Sequence, residues 1–207
     1  MPIDLWLVFV AVSLIPAISP GPAVMLAISN TLRFGRNATL ASATGNAVGL
    51  VVIGYAVALG FGALMATSAV AFTVLKLIGA AYLIYLGIKV WRDKSGFHLQ
   101  DGLPAARNSG WKLFLQAFLV SVTNPKAILV ITALFPQFMR PDGIDLAEIS
   151  ILSFTYAALC FLNHATIAFA GAHMRRFLTS ARRMRWVRRI TGGLFVGFGT
   201  ALATASR

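Results

Sequence analysis

Two long stretches without any charged residue constrain this chain more than any other feature of its sequence. Residues 5–32 and residues 37–75 contain no Asp, Glu, Lys or Arg. A run of about 18 apolar residues is already long enough to cross the hydrocarbon core of a bilayer as a helix. One small soluble core cannot bury two such runs, so the sequence predicts an integral membrane protein.

Composition agrees with this interpretation. Hydrophobic residues make up 58% of the chain and charged residues only 12%, whereas a soluble domain is about 25% charged. The net charge of +12 is also typical of nucleic-acid-binding chains. We set that class aside because the basic residues lie in short segments between apolar runs.

The apolar runs predict an all-α fold of six transmembrane helices that forms a single transporter domain over residues 1–207. The 39-residue run is long enough for most of two helices, with a turn near Thr67 and Ser68. The last span has only 17 residues, the short end of what can cross a membrane. The predicted spans are residues 5–32, 38–65, 69–91, 113–139, 149–173 and 190–206.

The distribution of Lys and Arg supports this topology. The first, third and fifth loops contain 14 of the 18 basic residues, while the other loops and the termini contain two. Because cytoplasmic loops are enriched in Lys and Arg, we predict that the odd loops are cytoplasmic and that both termini are outside. The segment 92–112 is then a cytoplasmic linker between two halves, about 1–91 and 113–207.

Prolines interrupt the first and fourth predicted spans. The first contains the sequence Ser19-Pro20-Gly21-Pro22 at its middle, and the fourth contains Asn124-Pro125-Lys126. Proline removes a backbone donor and breaks a helix, and broken backbone is tolerated at membrane depth only where it lines a cavity or is buried in protein. Each half has three spans, so the halves run in opposite directions, and matching interruptions in inverted repeats predict a transporter's binding site.

Lys126 is the strongest single candidate for that site. An ammonium at the middle of a bilayer costs about 2.5–3.5 kcal/mol and usually faces a cavity or a partner. The predicted spans contain no Asp or Glu to pair with it, so a substrate carboxylate or freed carbonyls would serve. Lys76 lies nearer a membrane surface, and whether it faces the pathway stays open.

Other polar residues within the spans are weaker candidates for the transport path. Asn46 and Gln116 are predicted polar liners, although such side chains often only bridge helices. His164 is a candidate for proton coupling because imidazole titrates near neutrality, and Lys126 is the second. One Cys and three scattered His give neither a nucleophile–base set nor a metal cluster, so we expect no enzyme activity, no cofactor and no metal. The lone Cys160 is interpreted as packing.

The last cytoplasmic segment and the glycines predict contacts with lipid and between helices. Arginines repeat every seven residues from 175 to 189, which gives one basic helix face that attracts anionic headgroups. Glycines at four-residue spacing, Gly45 with Gly49 and Gly193 with Gly197, let helices approach closely. They permit a homodimer without requiring one.

Three ordered motifs resemble the LysE/RhtB family of bacterial amino-acid exporters. Ser19-Pro20-Gly21-Pro22 with Gly35-Arg36 is similar to the family's opening. The block from Leu75 to Gly87 is similar to its third span, and Asn124-Pro125-Lys126-Ala127 followed by Phe135-Pro136-Gln137-Phe138 is similar to its fourth. The resemblance covers essentially the whole chain.

This resemblance implies a multi-pass carrier of the bacterial plasma (inner) membrane that exports an amino acid or close derivative, driven by the proton gradient. It names no substrate, although the lack of acidic residues in the spans argues against a cationic one. The alternatives are a channel or a membrane scaffold subunit without coupled transport.

Overall fold

The structure is a computed structural model that describes residues 1–19, 21–67, 69–92, 109–140, 145–178 and 180–204. Pro20, Ser68 and most of the predicted linker 92–112 lie outside the described residues, as does the side chain of Lys76. Within the described part all regular structure is helical. The helices are α1 Ile3–Ile18, α2 Pro22–Phe34, α3 Arg36–Thr67, α4 Ala69–Arg92, α5 Gly110–Val122, α6 Pro125–Phe138, α7 Leu146–Leu178 and α8 Ala181–Thr204.

Both predicted interruptions lie between two helices. The axes of α1 and α2 differ by 61°, and those of α5 and α6 differ by 57°. Pro22 and Pro125 each occupy the first turn of the following helix, where the missing proline N–H has no intrahelical partner to lose. The prolines therefore start α2 and α6 after each break.

Length and composition give two to four candidate membrane spans among the described residues, compared with the six predicted. Arg36–Gly60 and Leu146–Ala170 qualify alone, and the α1–α2 and α5–α6 pairs qualify if each bent pair is one span. The helix α8 has 24 residues, but its uncharged part, 190–204, is shorter than about 18 residues. The all-α class is thus observed, and the six-span arrangement stays a prediction.

Close contacts between α3 and α5 depend on two glycines. A Cβ added to Gly45 would collide with the carbonyl of Phe114, and one added to Gly49 would lie 2.7 Å from Cβ of Ser121. Small residues allow this approach, as the spacing of these glycines predicts. The helix α3 also packs against α7, and α4 packs mainly against α8.

In the last helix, the four-residue glycine pair does not make the close contacts seen within the described chain. Among the described residues, none lies within 4 Å of a Cβ added to Gly197, and one added to Gly193 meets only an aromatic edge at 3.7 Å. A Cβ added to Gly192 or to Gly199 would instead lie 2.7 Å from a backbone carbonyl oxygen of α4, that of Gly87 and that of Ala80 respectively. These two glycines are seven residues apart, so they lie on one face of α8 that the four-residue pair does not share.

The contacts between helices differ on the two sides of the helix breaks: aromatic rings pack on one side, and polar groups form hydrogen bonds on the other. On one side Phe9 packs edge-to-face against Phe135 and Phe138, with ring centroids 5.9 and 5.1 Å apart. On the side of Gly35, buried hydroxyl and amide groups join α2 to α3. There Asn30 Nδ2 donates to Ser42 Oγ at 3.1 Å, and a second bond links Thr31 and Thr39.

Candidate functional site

The two helix breaks meet at a cavity with about 380 Å³ of empty volume, a figure that includes space open to solvent. Its lining comes from both breaks and from the middle of α3 and α7. The lining residues are Pro16, Ala17, Ser19, Gly21, Ala23, Val24, Asn46, Leu50, Asn124, Lys126, Ala127, Tyr156, Cys160 and His164.

The first break leaves the start of α2 open towards this cavity. Gly21 is the N-cap residue of α2 and supplies no side-chain hydrogen bond. The first N–H groups of a helix have no intrahelical partner and favour anions. Ala23 and Val24, in this first turn, line the cavity. The break therefore presents backbone donors where a solute can reach them.

At the second break, a side chain of the break itself accepts a hydrogen bond from the start of the next helix. Asn124 is the N-cap residue of α6, and its Oδ1 accepts the backbone N–H of Lys126 at 3.1 Å. Asparagine is among the preferred N-cap residues for this reason. The side chain of Lys126 then extends from the first turn of α6 into the cavity.

Lys126 connects the two breaks. Its Nζ donates a hydrogen bond of 2.8 Å to the backbone carbonyl of Ser19, the residue that follows α1. A Cβ on Gly21 would lie 3.1 Å from Cδ of Lys126 and 3.3 Å from its Nζ. The absence of a side chain at Gly21 therefore makes room for the ammonium at the first break.

One face of α7 forms a further wall of the cavity. Tyr156, Cys160 and His164 line the cavity and are all buried. They are four residues apart, so they lie along one helical face. Sequence reasoning named His164 but missed Tyr156 and interpreted Cys160 as packing. The four-residue spacing of three polar or polarizable residues on one apolar span was the signal that could have found them.

Two buried polar atoms of the lining residues have no hydrogen-bond partner among the residues that the structure describes. They are Oγ of Ser19 and Oδ1 of Asn46, and both residues are at most 2% exposed. Buried polar groups are nearly always paired, and each exception calls for a reason. A ligand that carries hydrogen-bond donors would pair both atoms.

A hydrogen bond from α7 holds the end of α1. Nδ2 of Asn163 donates to the carbonyl of Ala17 at 3.1 Å. The last carbonyls of a helix have no intrahelical donor, so this contact satisfies one of them. The residue next to His164 thus fixes the helix end that leads to Ser19.

Ion pairs at the start of α7 lie apart from the cavity. Arg140 contacts Asp145 at 2.6 Å and Glu148 at 2.8 Å. The backbone N–H of Ala147 and the Arg140 side chain lower the pKa of Asp145, and the bond to Asp145 raises the pKa of Arg140. None of these three residues lines the cavity. Within the described chain, no carboxylate does so.

The structure gathers most of the predicted site. Ser19, Gly21, Asn46, Asn124, Lys126 and His164 line one cavity. Pro22 and Pro125 begin the adjacent helices without lining it, and Gln116 is exposed on α5, away from the cavity. Pro20 lies outside the described residues. Among those that are described, no group of three His, Cys, Asp or Glu could hold a metal.

Residues 14–206 match the LysE type translocator family. The chain belongs to this family. The match covers nearly the whole chain and confirms the predicted family. Because members of this family are translocators, it also confirms the expectation of a transporter rather than an enzyme.

Several relatives align with this LysE-type translocator over almost its full length. It is 34% identical to an uncharacterized membrane protein of Vibrio cholerae, over 99% of both chains. It is 32% identical to the homoserine/homoserine lactone efflux protein of Salmonella typhi, over 99% of this chain and 98% of the relative. It is 28% identical to the leucine efflux protein of Enterobacter sp. (strain 638), over 89% and 88%. No solved structure matches the chain.

Proposed function

We propose that this translocator exports an amino acid or close derivative across the bacterial plasma membrane by alternating access. The observation that carries this proposal is the bond between Lys126 Nζ and the Ser19 carbonyl, at 2.8 Å. It places one cation of α6 at the first helix break, beside the uncapped start of α2. An amino acid would use this place for its carboxylate.

The carboxylate would be held from two sides. The ammonium of Lys126 supplies a charge-assisted hydrogen bond, which is about twice as strong as a neutral one. The open N–H groups at the start of α2 supply further donors that favour an anion. When the carboxylate enters, the ammonium transfers from the Ser19 carbonyl to the substrate, so binding is coupled to a contact between the two breaks.

We propose that the two halves, 1–91 and 113–207, are inverted repeats of three spans each. The order of elements supports this: a broken pair, a long helix and a 24-residue helix occur twice in the chain. The alternation of basic loops supports six spans with both termini outside. Close packing between helices is compatible with a homodimer, which this proposal does not require.

We propose that proton movement drives export, with His164 or Lys126 as the group that exchanges the proton. Both side chains line the cavity, and imidazole titrates near neutrality. A membrane potential of 100 mV supplies about 2.3 kcal/mol per charge, which corresponds to about fiftyfold accumulation.

The names of two relatives suggest the first substrates to test. These relatives are a homoserine/homoserine lactone efflux protein and a leucine efflux protein. Homoserine and leucine share a zwitterionic head and differ in the polarity of the side chain. We propose that the translocator carries an amino acid of this uncharged kind.

Counterflow in proteoliposomes tests the proposal. Vesicles containing the purified protein are loaded with one unlabelled amino acid, and uptake of the same labelled compound is followed; the panel is the twenty standard amino acids plus homoserine and its lactone. A carrier produces transient accumulation of label. A channel would give equilibration without accumulation and a scaffold no movement, and either result would contradict the proposal.

Lys126→Met tests the site itself. This variant keeps an apolar chain of similar length and removes the charge, so we expect counterflow to be lost while the protein remains folded in the membrane. Lys112→Met is the matched control, because Lys112 is exposed on α5. Counterflow by Lys126→Met at the level of Lys112→Met would remove Lys126 from the site.

A further inference from the structure

Asn46 has a feature that carboxylate binding does not use. Its side chain lines the cavity, it is 2% exposed, and its Oδ1 has no partner. The backbone of this residue is fixed, since Ser121 Oγ donates to the Asn46 carbonyl at 3.2 Å. Asn46 therefore belongs to the cavity lining with its amide oxygen unpaired among the described residues, and a side chain of α5 holds its backbone carbonyl.

Three other asparagines of the bundle have partners for their amides. Asn30 donates to Ser42, Asn124 accepts from the backbone of Lys126, and Asn163 donates to the carbonyl of Ala17. Each joins parts of the protein to one another. The unpaired oxygen of Asn46 fits a different role, because an acceptor left in a cavity can pair only with what enters it.

Ser19 supplies a second acceptor to the same cavity. Its Oγ is fully buried and has no partner, while its carbonyl accepts from Lys126. A primary ammonium carries three N–H donors and no acceptor. Two buried oxygens without a partner among the described residues therefore belong to the same cavity lining as a protein ammonium, and a zwitterion carries a group for each.

We infer that Asn46 Oδ1, assisted by Ser19 Oγ, binds the amino group of the substrate and makes the translocator select α-amino acids with uncharged side chains over carboxylates that lack an amino group. This inference rests on the proposed transport of amino acids. A neutral amide carbonyl pairs with one ammonium without adding charge. Because no carboxylate lines the cavity within the described residues, a second, side-chain ammonium has no anionic partner there.

Paired ligands that differ only in the amino group test this inference. Leucine is compared with 4-methylpentanoate, and homoserine with 4-hydroxybutanoate. The concentration dependence of thermal stabilisation of the purified full-length protein gives the dissociation constant of each compound. For the unaltered protein we expect the amino acid of a pair to bind at least about tenfold more tightly, the effect of one hydrogen bond to a charged group.

Asn46→Leu should remove this preference. We expect the ratio of dissociation constants within a pair to fall to about one, while the des-amino compound binds within about twofold of the unaltered protein because Lys126 is untouched. Asn46→Ala is measured in parallel, in case the larger Leu side chain prevents folding. Asn30→Leu is the matched control: Asn30 is also buried, but it does not line the cavity, so the ratio should persist.

The outcomes separate this inference from the proposed function. If the Asn46 variants weaken both compounds of a pair equally, or neither, then Asn46 does not read the amino group and the inference is overturned. Equal binding of both compounds to the unaltered protein would overturn it as well, with carboxylate transport still standing. If no amino acid binds or exchanges with the unaltered protein, that result contradicts the proposed function, and this inference, which rests on it, is contradicted as well.

Discussion

The first and second helix breaks bring different chemistry to the same cavity. At the second break the side chain of Asn124 caps α6, so the start of that helix is satisfied by its own sequence. At the first break Gly21 caps α2 without a side chain, and the start of α2 stays open. The comparison shows that two similar proline motifs need not have the same role: the first offers backbone groups, and the second offers a cation.

The largest effect that would test this difference comes from Gly21→Ala. Backbone strain is not expected, because φ of Gly21 is −168°, which any residue adopts. The new methyl group would press on the end of the Lys126 side chain, 3.1 Å away. That flexible chain can yield, so the protein should fold, but the ammonium moves off the Ser19 carbonyl.

We expect the apparent affinity in counterflow to fall about tenfold for Gly21→Ala, because the displaced ammonium no longer reaches a carboxylate beside the start of α2, which removes one charge-assisted hydrogen bond to the substrate. Gly60→Ala is the control, since Gly60 is a helical glycine with nothing within 4 Å of an added Cβ. Equal affinities for these two variants would show that the first break does not need an empty position beside Lys126.

A smaller effect is expected from removing the cap at the second break. Asn124→Ala leaves the N–H of Lys126 without its acceptor, which costs about 1 kcal/mol. For a chain of this length the melting temperature should fall by about 2–4 °C. Thermal unfolding in detergent measures it. Asn124→Ser, which keeps an acceptor, should recover most of the loss; a failure to recover would mean that capping is not the role of Asn124.

The hydrogen bond that holds the end of α1 should contribute slightly less to the free energy of unfolding than the cap at the second break does. Asn163→Ala removes the donor to the Ala17 carbonyl, and an ordinary hydrogen bond contributes about 0.5–1.5 kcal/mol. Thr166→Ala is the matched control on the same helix, because its hydroxyl is exposed and bonds within its own turn. If both variants melt at the same temperature, α7 does not stabilise the first break.

The smallest effect on stability is expected at Ser19. Its hydroxyl has no partner in the structure, so Ser19→Ala removes no hydrogen bond and should leave the melting temperature unchanged or slightly raised. The two changes in melting temperature, for Ser19→Ala and Asn124→Ala, compare a hydroxyl without a partner at the first break with a capping amide at the second. A loss as large as that of Asn124→Ala would show that the hydroxyl is paired in the folded protein.

The positions of the breaks and six of the fourteen residues that line the cavity were predictable from sequence. Proline has a strong local effect on backbone, so Pro22 and Pro125 indicate where α2 and α6 begin without any knowledge of packing. Lys126 was predictable because a charge in an apolar span needs a partner. Asn46, predicted as a polar liner, and His164, predicted as a candidate for proton coupling, both line the cavity, while their roles stay predictions.

The sequence did not predict which residues of a span face the cavity or a neighbouring helix, because this depends on the rotation of the helix about its axis. Gln116 and Asn46 look alike in sequence, as single polar residues in apolar spans, yet Gln116 is exposed on α5 while Asn46 faces the cavity. Gly192 and Gly199, rather than Gly193 and Gly197, contact α4. An apolar span lacks a clear polar face, so its sequence gives little information on which side meets other helices.

The position of Cys160 offers a direct way to follow this protein at work. It is the only cysteine in the chain, and it lies on the wall of the cavity. Because this thiol is buried, a small thiol-reactive probe would have to enter the cavity to reach it, and the natural sequence needs no engineered cysteine for that experiment. A bound amino acid should slow the labelling, so Cys160 offers an internal test of whether a solute occupies this cavity.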